Sequence, residues 1–265
     1  MRERRPLRAL LAALGLLGST LAFAGVSSSD IRDSWGTDEA LRRELGRYAA
    51  ALSGEDFAEL AKGGTVARLV RDDTGERVVG AVYAPVSLES MWIAVHDAAH
   101  RDADTDVAYR VLPGSTATRQ LLYLHVDTPW PMEDRQSMVD IGFNQRLYKE
   151  SGGRVWERSW HAIPPGDTPA PDPEAMWMPV NEGSWQMVRV GTGTLAVVSM
   201  RVEVGGVVPE DVGLRWGQIT LHGILDAVVE FAEKMPTHYR SGHAQLARPD
   251  GSPIPLDAFT AVASP

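Results

Sequence analysis

Apolar residues recur along the chain with two different periods, and each period predicts its own kind of element. Spacings of three or four residues place apolar side chains on one face of a helix. They predict long helices over residues 37–52, 86–100 and 209–235. Pro209 suits the first turn of the third helix, and Pro236 is expected to end it, because proline lacks the backbone N–H that a helix interior uses.

Alternation of apolar and polar residues predicts strands through most of the remaining chain. Asp73-Thr74-Gly75 separates the first two runs and is typical of a hairpin turn. Short turns also separate later runs, so we expect an antiparallel sheet with one face covered by the last helix. This arrangement belongs to the α+β class. Strands are predicted over residues 65–72, 76–84, 107–112, 118–126, 136–148, 154–162, 184–190 and 194–204.

Residues 1–24 have the pattern of a secretory signal peptide. Four Arg and one Glu precede an uncharged apolar run, which ends at Ala22-Phe23-Ala24, a small-x-small cleavage pattern. An uncleaved anchor is the alternative, because the run is close to the length of a short membrane span. We therefore expect export and a periplasmic or secreted location. Residues 25–36 are predicted to be a short polar linker, and residues 237–265 a weakly structured C-terminal tail.

Charge and cysteine content narrow the choice of partners. The chain carries a formal net charge of -9, and removing the +3 of the predicted signal peptide leaves -12. Such an acidic protein is a poor candidate for binding nucleic acid. The chain has no cysteine, so disulfides and thiolate chemistry are excluded and an ordinary hydrophobic core must stabilise the fold. We expect a monomer.

Three segments resemble, in order and spacing, motifs of START-type lipid-binding domains within the helix-grip, or Bet v 1-like, superfamily. PWPMEDRQSMV, at residues 129–139, resembles the Pro-Trp-Pro signature with a following Arg that precedes a central strand. EGSWQMVRVGTGTLAVVSMRVEVGG, at residues 182–206, resembles the two long strands of the family, and GGVVPEDVGLRW, at residues 205–216, the entry to its last helix. The likeness covers about residues 118–235.

The resemblance implies a helix-grip fold over residues 37–236, in which a curved antiparallel sheet wraps around a long C-terminal helix. It also implies a tunnel for one lipid, sterol or other apolar molecule. Pro129-Trp130-Pro131 would form the corner at which the chain re-enters the sheet, because proline needs no partner for an N–H. Transient contact with a membrane is compatible with this function.

Candidate ligand-binding residues lie on the faces of the strands and of the last helix that the alternation groups together. Which face of each strand points inward stays open, and a filled core is the alternative for the aromatic and Met residues. Arg135 is expected to form a buried salt bridge, in preference to binding a ligand head group. The candidates are Arg135, Val139, Ile141, Phe143, Trp156, Arg158, Trp160, Trp185, Met187, Met200, Leu221, Leu225 and Val228.

A proline-rich loop over residues 164–179 carries an apolar tip, Met176, Trp177 and Met178. The resemblance places such a loop near the tunnel mouth. An exposed tip would suit docking to a membrane or a partner protein, but monomers rarely expose such patches. We therefore favour a tip that folds back on the core.

No motif of nucleophilic or metal-dependent catalysis is found in the sequence. His96 and His100, four residues apart, are the best metal candidates, but two ligands are half a set, so we predict no metal and no cofactor. The main hypothesis is non-catalytic binding or transfer of one apolar ligand. The alternatives are an enzyme of the polyketide cyclase or hydrolase type and an envelope protein-interaction module. The residues that could serve such an enzyme are Tyr123, His125, Asp140, Arg158 and His161.

Overall fold

The computed structural model describes residues 26–34, 51–72, 75–97, 107–128, 132–164, 171–206, 210–238 and 247–255. The predicted signal peptide, most of the helix predicted over residues 37–52 and the corner at residues 129–131 lie outside the described residues.

The described residues form a single sheet. Its strands are β1 (Thr65–Asp72), β2 (Gly75–Ala84), β3 (Val107–Val111), β4 (Arg119–Val126), β5 (Arg135–Phe143), β6 (Val155–Ala162), β7 (Met176–Trp177), β8 (Val180–Val190) and β9 (Gly193–Glu203). Eight of them are antiparallel in the spatial order β1-β2-β9-β8-β6-β5-β4-β3, and the short β7 pairs with β5 in parallel. β1 and β2 pair in antiparallel register up to Asp72 and Gly75, whereas Asp73 and Thr74 of the predicted turn lie outside the described residues.

The helices among the described residues are α1 (Ser28–Ser34), α2 (Gly54–Leu60), α3 (Leu88–His96), α4 (Gln145–Glu150) and α5 (Glu210–His238). Ser53 and Ser87 begin α2 and α3, because each side-chain oxygen accepts a hydrogen bond from the backbone N–H three residues later. The helix α5 continues through Pro236 to His238, so the predicted end at Pro236 was wrong by two residues. A proline in the last turn removes one hydrogen bond without preventing the turn from closing.

One predicted strand, over residues 136–148, is in fact a strand followed by a helix. β5 ends at Phe143, and the side chain of Asn144 accepts a hydrogen bond from the backbone N–H of Leu147 (3.0 Å), which begins α4. Leu147 is separated from the apolar residues of β5 by an even number of positions, as it would be in a longer strand, and this spacing led to the error. Its side chain is buried in the cluster on the other side of the sheet.

The long helix α5 packs across the inner face of the curved sheet, and the helix-grip prediction is confirmed. Gly80 in β2 is a point of close approach: a Cβ atom there would lie 2.7 Å from Cδ2 of Leu221 and 3.1 Å from Cδ1 of Leu225. Helix α3 packs beside α5 on the same face. No helix among the described residues has the length and apolar character needed to cross a membrane.

Two segments outside the main pattern contribute to the core. Ile31 of α1 is fully buried with Leu60 of α2 in a cluster on the outer face, although residues 25–36 were expected to be a polar linker. Ala247 and Ile254 are buried in the expected tail, where the backbone oxygen of Ala247 accepts a hydrogen bond from Nε1 of Trp92 (3.0 Å). A single apolar residue in a polar stretch gives no periodic signal, so sequence analysis missed both segments.

Candidate ligand-binding cavity

A cavity of about 170 Å³ lies between the inner face of the sheet and α5. A single water needs about 10–15 Å³ on the same measure, so the cavity can accept a much larger molecule. Its walls are mainly aliphatic and aromatic, which is typical of sites for apolar small molecules. The side chains of Glu76, Arg77, Tyr109, Arg158, Asn181 and Thr220 add polar groups to them.

The cavity has a closed end and an open end. Val95, Arg158 and Trp185 line it and are buried. Partly exposed lining residues, such as Arg77, Tyr109 and Val202, come from the beginning of β2, the end of β9, the first half of α5 and the strands β3, β4 and β6. A ligand would therefore enter at the partly exposed end of the cavity.

Several predicted site residues lie in the cavity wall. They come from β5, β6, β8, β9 and α5, and those on strands lie on the inward face that strand alternation defines. They are Val139, Ile141, Arg158, Trp160, Trp185, Met200 and Leu221, and Met178 of the predicted mouth loop lines the wall as well.

Five other candidates pack in the core instead of lining the cavity. Trp92 of α3 stacks edge-on against Phe143 and Trp156, with ring centroids 4.8 Å and 5.5 Å apart. The helix α3 thus fills the end of the sheet at which these rings point inward. Sequence alternation gives the face of a strand but not what covers each part of it. The five are Phe143, Trp156, Met187, Leu225 and Val228.

Arg135 joins the start of β5 to the end of β9. Its guanidinium donates to the backbone oxygens of Val204 (2.6 Å), Gly205 (3.4 Å) and Glu133. Its described partners are therefore carbonyl groups, and the expected salt bridge was wrong. Neighbouring Asp134 accepts a hydrogen bond from the backbone N–H of Thr128 (3.0 Å) across the corner. Both side chains have a structural role in this arrangement, outside the cavity wall.

The apolar tip of the proline-rich loop folds back on the sheet. Met176 and Trp177 form β7 beside Arg135 and Gln136, and Met178 is buried. The side-chain amide of Gln136 holds the loop by donating to the backbone oxygens of Asp172 (2.8 Å) and Ala175 (2.6 Å). Of the two arrangements considered from sequence, the described part of the loop adopts the folded-back one.

Arg158 and His96 place a guanidinium cation and an imidazole near the closed end. Nη1 of Arg158 donates to the backbone oxygen of Val95 (2.8 Å). Burial, with the charge of Arg158 as a smaller contribution, lowers the pKa of His96 to about 3. His96 is therefore neutral at ordinary pH and packs between Trp92 and Phe143. Its proposed metal partner, His100, lies outside the described residues.

The other candidate catalytic residues lie away from the cavity. Tyr123, His125, Asp140 and His161 alternate with the inward residues of β4, β5 and β6 and so lie on the outer face. The Asp140 carboxylate accepts hydrogen bonds from Nε (2.8 Å) and Nη2 (2.5 Å) of Arg119, and this partner lowers the pKa of Asp140.

The corner between β4 and β5 carries possible metal ligands that sequence analysis did not group. One atom from each of His125, Asp127 and Asp134 lies within 4.8 Å of the others. The two nitrogens of His125 also lie 3.3 Å from Asp127 and from Asp172. Asp127 is largely exposed, and exposed acidic groups gather in this way without a metal.

Sequence analysis missed Asn181, which lines the cavity and is buried. Its Oδ1 accepts a hydrogen bond from Nε1 of Trp160 (2.9 Å). The strand was predicted to begin only at Ser184, whereas β8 begins at Val180. Alternation of apolar residues could not have identified Asn181 as a cavity residue. A polar side chain on the inward face interrupts the apolar pattern, so the strand was predicted to begin after it.

Solved structures show the same fold. Human STARD10 matches with a TM-score of 0.58 at 14% identity, over 86% of this chain and 96% of that one. Human StAR-related lipid transfer protein 5 matches with a TM-score of 0.56 at 13% identity, over 78% and 98%. The STAR-related lipid transfer protein from Xanthomonas axonopodis matches with a TM-score of 0.53 at 23% identity, over 63% and 92%.

No protein-family model matches the sequence, and no curated protein matches it either. The likeness to the solved structures therefore concerns the fold, and it extends over nearly the whole length of each of them. The chain folds as a START-type domain.

Proposed function

We propose that this protein binds one lipid or other apolar molecule in the cavity and transfers it without changing it chemically. The observation that carries the proposal is the mainly apolar cavity between the sheet and α5. The names of three similar structures, all lipid transfer or STARD proteins, support the same function. The predicted signal peptide suggests that the protein acts after export.

Burial of the ligand supplies the binding free energy. Each 100 Å² of apolar surface removed from water contributes about 2.5 kcal/mol. Immobilising the ligand opposes this gain, so affinity depends on how well the walls fit the ligand. Exchange would occur at the partly exposed end of the cavity. Transient contact of this end with a membrane would allow a lipid to leave without crossing water.

Two other functions are less well supported. Four of the five candidate catalytic residues lie away from the cavity, which weakens the cyclase or hydrolase hypothesis. The interaction-module hypothesis requires a closed core, whereas the protein has a cavity.

Native mass spectrometry of the gently purified protein, followed by organic extraction, tests the proposal. We expect one apolar molecule per chain, recovered intact. The variant Met200→Trp should lose it, because a larger side chain at this cavity-lining position occupies the ligand space. The matched control is Leu69→Trp, at a solvent-exposed position in β1.

Three results would contradict the proposal. A protein that carries no ligand and takes up none from liposomes would refute binding. An extracted molecule that the protein converts on incubation would favour the enzyme. Equal occupancy in both tryptophan variants would place the ligand outside the cavity.

A further inference from the structure

Asn181 is a buried amide in a mainly apolar stretch of the cavity wall. It lies near the start of β8, opposite Val202 of β9, and the residue is only 7% exposed. Val202, Met200 and Met178, which also line the cavity, bring carbon and sulfur atoms to this part of the wall. A polar group in such surroundings needs a hydrogen-bond partner.

The contact with Trp160 fixes which way the amide points. The indole Nε1–H is a donor only, so the atom 2.9 Å from it must be the carbonyl oxygen of Asn181. The NH2 group of the same amide, which has two donor hydrogens, is therefore turned away from Trp160. This NH2 has no hydrogen-bond partner among the described residues.

Gly183 helps to hold Trp160 in this position. It lies two residues from Asn181 on the same face of β8, and it is paired with Trp160 in the sheet. A Cβ atom at Gly183 would lie 2.5 Å from Cζ2 of the Trp160 ring. The glycine thus leaves the space in which the indole lies across β8 and reaches Asn181.

We propose that Asn181 selects apolar ligands that carry a neutral oxygen acceptor, such as a carbonyl, ester or hydroxyl oxygen. The proposal rests on the carrier function and names its ligand class. In the empty cavity, water can satisfy the NH2 group, because Asn181 lies towards the partly exposed end. A hydrocarbon would displace that water and leave the donor unpaired, whereas an acceptor oxygen would replace it. Sites built in this way discriminate against ligands that lack the polar group.

A pair of fluorescent probes tests the proposal with the full-length protein. One is a dimethylaminonaphthalene dye with an acetyl group, and the other is its ethyl analogue, in which CH2 replaces the carbonyl. The native protein should bind the acetyl dye about tenfold more tightly, which corresponds to one neutral hydrogen bond of ordinary strength. A hydrogen bond to the carbonyl also shifts the emission of this dye to the red, which gives a readout independent of affinity.

Asn181→Leu removes the donor while nearly keeping the size of the side chain. We expect it to abolish the preference for the acetyl dye and the red shift, without weakening binding of the ethyl dye. The double variant Asn181→Leu/Trp160→Phe should behave in the same way. It leaves no indole N–H without an acceptor, so it keeps the test valid if the single variant folds poorly.

The outcomes separate this inference from the carrier function. If the native protein binds both dyes equally, or if the variants weaken both equally, Asn181 does not select the ligand and the inference is overturned while the carrier function stands. If the native protein binds neither dye, the inference is overturned, and the carrier function is decided by the extraction and liposome experiments.

Discussion

At the scale of single residues, His96 should make stability depend on pH. Its pKa in the folded protein is about 3, below the usual 6.5, because it is buried and close to Arg158. As pH falls below about 6.5, the unfolded chain gains a proton that the folded protein does not. The free energy of unfolding should therefore decrease by up to about 1.4 kcal/mol per pH unit, until the pH approaches the folded pKa.

Urea unfolding at a series of pH values from neutral to mildly acidic would measure this dependence. His96→Phe should flatten it, because phenylalanine suits the contacts with Trp92 and Phe143 and does not titrate. The control is His161→Phe, on the exposed outer face, which should keep the native dependence. A His96→Phe profile parallel to that of the native protein would disprove the assignment.

Single residues also show how far the site could be predicted from the sequence. Strand parity grouped Val139 and Ile141 of β5 on one face, because alternation is a local property, and in the structure both residues line the cavity. It also selected Phe143, which shares their face but contacts Trp92 of α3. The position of α3 is a tertiary feature that no local period reports. The carbonyl partners of Arg135 depend in the same way on where β9 ends.

At the scale of elements, the contact between β2 and α5 sets the height of the helix above the sheet. A Cβ atom at Gly80 would lie within 3.1 Å of both Leu221 and Leu225. Gly80→Ala should therefore overpack this contact and destabilise the protein by about 1–3 kcal/mol. Urea denaturation would measure the loss, and Gly80→Ala should cost less stability in a Leu221→Ala background than in the native protein.

Gly142→Ala in β5 is the control, because a Cβ atom there meets no other atom within 4 Å. It should leave the stability within about 0.5 kcal/mol of the native value. If Gly80→Ala were tolerated as well as Gly142→Ala, the packing of α5 on β2 would be looser than the structure indicates.

Element prediction was most successful where one period persists. The long stripe of α5 and the alternation of β9 identified both elements to within a few residues. The short helix α4 was missed because Leu147 continues the parity of β5, whereas the cap at Asn144 depends on a single side-chain hydrogen bond. Short elements are decided by such local contacts, and these leave little trace in a hydrophobic pattern.

At the scale of the whole molecule, the C-terminal segment, residues 247–255, packs against the core that α3 and α5 form on the inner face of the sheet. Ile254 is 5% exposed and belongs to the same cluster as Trp92, to which Ala247 is also hydrogen-bonded. Ile254→Ala should lower the free energy of unfolding by about 2–4 kcal/mol, the range for removing such a buried side chain. Val111→Ala, at a 43% exposed position in β3, is the control and should change it little.

Unfolding followed by tryptophan fluorescence and by circular dichroism would test whether this segment belongs to the folded unit. If it does, both signals should shift together in Ile254→Ala, because the segment and the sheet share one cooperative transition. A segment that merely rests on the surface would leave the global transition of Ile254→Ala at the native position. Ile254 packs in the same cluster as α5, the helix that covers the cavity. If the segment merely rests on the surface, Ile254→Ala should therefore bind as much ligand as the native protein.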